Sequence, residues 1–147
     1  MRWSKLRSLV KERFARELVG RLDINSTAYG ACSCGHAWLT WDGNVIANFC
    51  TRAKYNANGC EDRSEKPNPM YADQFAEYGE FSRQDAYEAC WAFIHDLSIE
   101  EALIDDDPLV TMLALADGRI GKRRLAKMER DTFHPLAAKV LDLRQAA

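Results

Sequence analysis

The sequence predicts an α+β fold: an N-terminal helix, a three-stranded antiparallel meander, then a C-terminal set of about five short helices. Three observations carry that expectation. Apolar residues recur at four-residue steps near the N-terminus, alternate with polar residues over 22–29, and return to helical spacing beyond residue 69. The pattern change comes without a repeat, so one domain spans residues 1–147. It divides into helix plus sheet (1–52), an irregular loop (53–68) and a helical part (69–147).

Leu6, Val10, Phe14 and Leu18 lay one apolar stripe along a helix over residues 3–19, widened by Trp3 and Leu9. Gly20 stands where a left-handed residue ends a helix at least cost. The other faces are basic, a composition that suits a membrane surface. With a sheet following at once, the apolar side is read as core, laid across one face of that sheet.

Leu22, Ile24, Ser26 and Ala28 alternate with Asp23, Asn25, Thr27 and Tyr29, the period of a half-buried strand. Asp42-Gly43 between two apolar runs is the signal for a type I′ turn, and predicts strands over 36–41 and 44–51. Asn68-Pro69 opens a helix with Tyr71, Phe75 and Tyr78 on one side. Ser82 caps the next, whose apolar side is Tyr87, Cys90, Trp91, Ile94 and Leu97. Ser98-Ile99-Glu100-Glu101 is a capping box. Asp107-Pro108 opens the run LVTMLALA, which Gly118 closes. A basic helix follows over about 122–130, and Pro135 opens the last.

Composition narrows the function classes. No apolar run reaches the roughly 18 residues a bilayer span needs, and the charged N-terminus is not a signal peptide, so a cytoplasmic protein is expected. Five cysteines in a chain of this size read as reduced thiols rather than a disulfide framework. The net charge of −2 conceals a polarity. Residues 1–21 carry seven basic and two acidic side chains, residues 119–147 eight and three, and residues 22–118 five and seventeen. Such a layout fits basic ends docked on an acidic middle, or one copy's basic face meeting another's acidic face.

Cys32, Cys34 and His36 share one strand face and form a candidate metal set, with Cys50 or Cys60 as the fourth ligand. Two features count against it. C-x-C is not the usual zinc knuckle, and a two-residue turn at Asp42-Gly43 pairs Gly35 with Cys50, turning Cys50 away from Cys34 and His36 unless a one-residue bulge reverses the register. As a thiolate–imidazole pair, Cys34 and His36 would stand about 6–7 Å apart, beyond hydrogen-bonding reach. The other candidate is the basic segment holding Arg119, Lys122, Arg123, Arg124 and Lys127. It lacks the spacing of a phosphate loop. With the preceding helix it loosely resembles a helix-turn-helix, whose second helix would offer Lys122, Arg123, Lys127 and Arg130 to phosphates. Tyr71, Phe75 and Tyr78 form an aromatic candidate surface. No cofactor is implied.

The opening MRWSKLRSLVKERFA and the run LSIEEALIDDDPLVTMLALADGRIGKRRL resemble a family of small uncharacterised bacterial proteins, often found on mobile integron gene cassettes. The most specific part resembles the family's D-x-R-x-G-K-R-x-L segment, here Asp117, Arg119, Gly121, Lys122, Arg123 and Leu125. Gly118 stands where that family has a larger residue, often Arg. The resemblance implies an accessory cytoplasmic protein and no particular activity. The expected function is therefore a non-catalytic binding or interaction module, self-associating or bound to another protein. A metal or thiol protein and a nucleic-acid binder are the alternatives.

Overall fold

The computed structural model describes residues 1–28, 35–50, 55–56, 59–63 and 83–146, with side-chain surroundings over 1–26, 37–47 and 83–146. Cys32, Cys34 and the aromatic residues Tyr71, Phe75 and Tyr78, with the helix expected around them, lie outside the described residues. The fold class is the expected one: an N-terminal helix, a three-stranded antiparallel sheet, then several helices. Two compact units make it up, one of residues 1–22 and 87–147, the other of residues 23–86.

The smaller unit holds the sheet, with β1 (Leu22–Ala28), β2 (Gly35–Trp41) and β3 (Asn44–Cys50) in that order. Ile24, Ala37, Leu39 and Ala47 are buried, as alternation requires. Asp42 at φ 51° and Gly43 at φ 83° make the turn that their sequence predicts. The register departs from expectation two pairs further on. Trp41 faces Asn44 and Thr40 faces Val45, but Leu39 faces Ala47, so Ile46 is an extra residue in a bulge. Ala37 then faces Phe49. Carried one pair on, that backbone register sets Cys50 against His36, not Gly35. A further short ladder, β4 (Tyr55–Asn56) with β5 (Gly59–Arg63), lies in the stretch read as irregular.

The larger unit is helical and is built around α4 (Pro108–Ala116). All eight of its residues after Pro108 are buried. A helix apolar on every side must be surrounded, and here α6 (Pro135–Ala146) and α3 (Ile99–Leu103) pack on it. The caps follow the sequence. Asp107 Oδ1 accepts from Leu109 N at 2.9 Å with Pro108 at the first position. Ser98 and Glu101 form the reciprocal capping box of α3.

Three expectations are corrected in this unit. The first helix, α1, covers Trp3–Glu12 rather than 3–19, followed by a 3-10 turn at Arg16–Leu18. It stops because the next backbone groups pair elsewhere. Phe14 and Asp117 form an antiparallel bridge, Ala15 N donates to Ala116 O at 2.8 Å, and Gly118 N donates to Arg13 O at 2.9 Å. The helix thereby joins the C-terminal helices in one unit. Gly20 does take a positive φ of 75°, but it follows the 3-10 turn.

The second correction concerns α2 (Arg83–Trp91), which runs on into a π-turn at Ala92–Asp96. Its buried residues are Ala86, Ala89, Cys90 and Phe93, the i, i+3, i+4, i+7 set of a helix. Trp91, expected inward, is exposed, stacked with Tyr87 and in tilted ring contact with His95. Ala86 and Ala89 are buried, and a pattern that favours large residues overlooks such small ones. The third correction is α5, which covers only Lys122–Ala126 before the chain turns into a 3-10 segment at Arg130–Thr132.

Candidate functional site

The segment Asp117–Leu125 divides into residues that build a turn and residues that remain outside it. Asp117 is 1 % exposed, and its carboxylate is fully engaged by Arg119. Oδ1 accepts from the Arg119 backbone N at 2.8 Å, and the guanidinium closes a bidentate pair with Nη2 at 2.7 Å. This pairing holds the Arg119 guanidinium above its ordinary pKa. Ile120 and Leu125 are buried, and Gly121 caps α5 through its carbonyl. A Cβ on Gly118 would stand 3.3 Å from Ala15 Cα, so a larger residue there requires the backbone beside the Phe14–Asp117 bridge to shift by a few tenths of an ångström. Lys122 and Arg123 are exposed.

Arg144, on α6, is the buried cation beneath this turn, with its side chain 3 % exposed. Its Nη1 donates to Leu115 O at 3.1 Å and Asp117 O at 2.9 Å. These are carbonyls of the last turn of α4, which a helix by itself leaves unpaired. Its Nε donates to Glu17 Oε1 at 3.1 Å. One side chain thus ties α4, α6 and the segment after α1 together.

Glu17 is correspondingly held below the ordinary carboxylate range. Hydrogen bonding to its own backbone lowers it most; burial opposes this, and Arg144 and Lys122 lower it further. A depressed folded-state pKa means stability that is present above the unfolded value near 4.5 and is lost as pH falls through the lower folded value. The stability difference between the native chain and Glu17→Gln should therefore be constant at neutral pH and shrink progressively below pH 4.5. Denaturant titrations across that window measure it. A difference that stayed constant throughout would contradict this assignment.

An open groove of about 570 Å³ lies in the same unit, a volume typical of ligand-sized sites. One wall comes from the end of α3 and the following loop, with Leu103, Ile104, Asp105 and Asp106. The other brings Arg124, Met128, Phe133 and His134 from α5 and the approach to α6. Ile104 is 84 % exposed, the most exposed large apolar side chain among the described residues. Asp105 is partly committed, accepting from Asp107 N at 2.8 Å. His134 accepts from Leu136 N through Nδ1 at 3.1 Å, capping α6. Sequence reasoning missed this groove because its walls lie about twenty residues apart. The available signal was Ile104, an apolar residue outside the helical stripe and next to three carboxylates.

The predicted basic residues have separate fates. Arg119 pairs with Asp117, Arg124 with Glu100 at 2.6 Å, and Arg130 with Asp142 at 3.0 Å. Glu100 is held below its ordinary pKa by its hydrogen bond to Arg124. Lys122 lies within electrostatic reach of Glu17. Arg123 and Lys127 are exposed and have no ion-pair partner among the described residues.

Among the described residues no three His, Cys, Asp or Glu side chains converge as metal ligands. Cys32, Cys34 and the side chain of His36 lie outside the described residues, and the bulge at Ile46 removes the two-residue-turn register that counted against Cys50. Cys90 is the one described thiol, fully buried, with its pKa pushed up to about 12 by burial and by the Asp107 charge. Such a thiol stays protonated and inert. No described helix is long and apolar enough to cross a membrane.

Against this geometry, a family model described as the SF0329 protein family matches residues 2–145, and the chain belongs to that family. Neither a curated protein nor a solved structure matches it.

Proposed function

We propose, for this member of the SF0329 family, a non-catalytic interaction module that self-associates through the groove around Ile104. The observation that carries the reading is an exposed isoleucine in a groove lined by Asp106, a carboxylate with no partner among the described residues, beside a segment that carries the cations Arg123 and Lys127. Asp106 lines one wall; Arg123 and Lys127 each precede a lining residue of the other, Arg124 and Met128. A two-fold interface must be self-complementary, so each copy has to present both charges beside an apolar centre. This face does. The reading retains the 119–130 segment as a contact surface. It also takes the protein to be a bacterial, cytoplasmic accessory protein of the kind carried on integron cassettes, as the sequence resemblance implies.

Sedimentation of the full chain should give a dimer at low salt that weakens as salt rises. Ile104→Asp should raise its dissociation constant at least about tenfold, because burying an isoleucine is worth about 1.5–3 kcal/mol. A monomer at every concentration in low salt would sink the proposal. Other readouts separate the alternatives. Zinc retained by protein purified without chelator would favour Cys32, Cys34 and His36. Nucleic-acid binding with a steep salt dependence, lost in Lys122→Ala and Arg123→Ala, would favour phosphate contact.

A further inference from the structure

A guanidinium carries five N–H donors, and the helix-capping role of Arg144 uses three. Nε serves Glu17, and Nη1 serves the Leu115 and Asp117 carbonyls. The two N–H groups of Nη2 have no acceptor among the described residues, in a side chain only 3 % exposed. Burying donors without a partner is expensive. Nη2 is not sealed in, however. Arg144 lines an open cavity of about 430 Å³ together with Lys122, Leu125, Ala126 and Gln145. Nη2 is the guanidinium nitrogen without an acceptor among the described residues, and it is not a sealed-in polar atom, so it is taken as the group that faces the cavity.

The rest of the lining defines what would fit. Lys122 brings a second cation. Leu125 and Ala126 supply an apolar wall. Gln145 is wall rather than donor, since its amide N–H groups already serve Leu125 O at 3.0 Å and Met128 O at 3.3 Å. Glu17, bonded to Arg144 and within reach of Lys122, neutralises one of the two cations. A single positive charge remains.

We propose that this cavity binds a small organic monoanion, a carboxylate with a short apolar body. Its oxygens take the Nη2 hydrogens and the Lys122 ammonium, and its hydrocarbon end lies against Leu125 and Ala126. One net charge at the site matches a carboxylate better than a phosphate dianion, which would bring Glu17 a second repulsion. The proposal also accounts for Lys122, which the turn's own construction does not use. It is independent of self-association through the Ile104 groove, with which this cavity shares no lining residue, although both draw on the 119–130 segment.

The test is an amide and arginine side-chain NMR titration of the full chain with butyrate at constant ionic strength, run beside acetate and inorganic phosphate. Saturable shifts at Lys122, Leu125, Ala126, Gln145 and the Arg144 side chain are expected, with butyrate binding more tightly than acetate. Lys122→Gln should weaken butyrate about tenfold, the loss of one charge-assisted hydrogen bond, and Lys122→Arg should restore it. Lys122 is exposed, so neither change threatens folding. Non-saturating shifts, equal butyrate binding in Lys122→Gln, or tighter binding of phosphate at the same residues would each overturn the assignment.

Discussion

Replacing Arg144 by leucine should lower the unfolding free energy by about 3–5 kcal/mol, the loss expected when one partner of a buried charged network is removed. The reason lies in what stays behind. Leu115 and Asp117 would retain carbonyls with no donor from α6, and each buried unpaired group costs about 1–3 kcal/mol. The Asp117 carbonyl keeps one bond, from Ile120 N at 3.1 Å, which places the sum at the lower end of that range. Glu17 would also lose its cation. Glu17→Gln alone should cost clearly less, because 18 % of that side chain reaches solvent and water can replace part of the bond. Nor should Arg144→Leu be rescued by adding Glu17→Leu. Two of the three acceptors are backbone carbonyls, which no substitution removes. Equilibrium urea denaturation of the single and double variants decides this, and a loss below about 1 kcal/mol for Arg144→Leu would show that the capping bonds matter little.

A loss of about 2–5 kcal/mol is expected for Leu113→Ala, the usual range for truncating a buried leucine. Leu113 is 1 % exposed at the middle of α4, with buried neighbours before and after it. A surface helix could tilt to close the void. α4 has α6 and α3 packed on it, and its C-terminal end is held by the bridge to Phe14 and by Arg144, so collapse is restricted. Ile104→Ala makes the contrast. With 84 % of Ile104 exposed, that change should alter stability by no more than about 0.5 kcal/mol. If self-association is measured on the same variant, an effect there without an effect on folding separates contact from structure.

Much of the local organisation was legible in the sequence because it depends on neighbours a few residues away. The Ser98 capping box, the Asp107 cap with Pro108, and the turn at Asp42-Gly43 all formed as their residues demand. Where pairing reached across the chain, the sequence was a poorer guide. The Ile46 bulge, beyond the reach of the turn's own residues, moved the rest of β3 by one register position, so that Phe49 faces Ala37. α1 ended at Glu12 although its apolar stripe continued to Leu18, because the Arg13–Ala15 backbone was taken by a strand-like bridge over a hundred residues away. α5 was shorter than its charge run suggested, and Leu125 is the one residue buried within it.

The candidate sites follow the same division. Charge along residues 119–130 was visible at once, yet which cations stay available was not. Arg119, Arg124 and Arg130 found carboxylates in the fold, while Arg123 and Lys127 did not among the described residues. Arg144 read as one more basic residue near the C-terminus and turned out to hold the end of α4. By itself, then, the sequence determined the fold class and the caps and turns, because helix period and capping chemistry act within one or two turns. Only the tertiary structure decided which charges are spent and where the grooves open. Those outcomes depend on carbonyls, carboxylates and apolar walls brought together from distant parts of the chain.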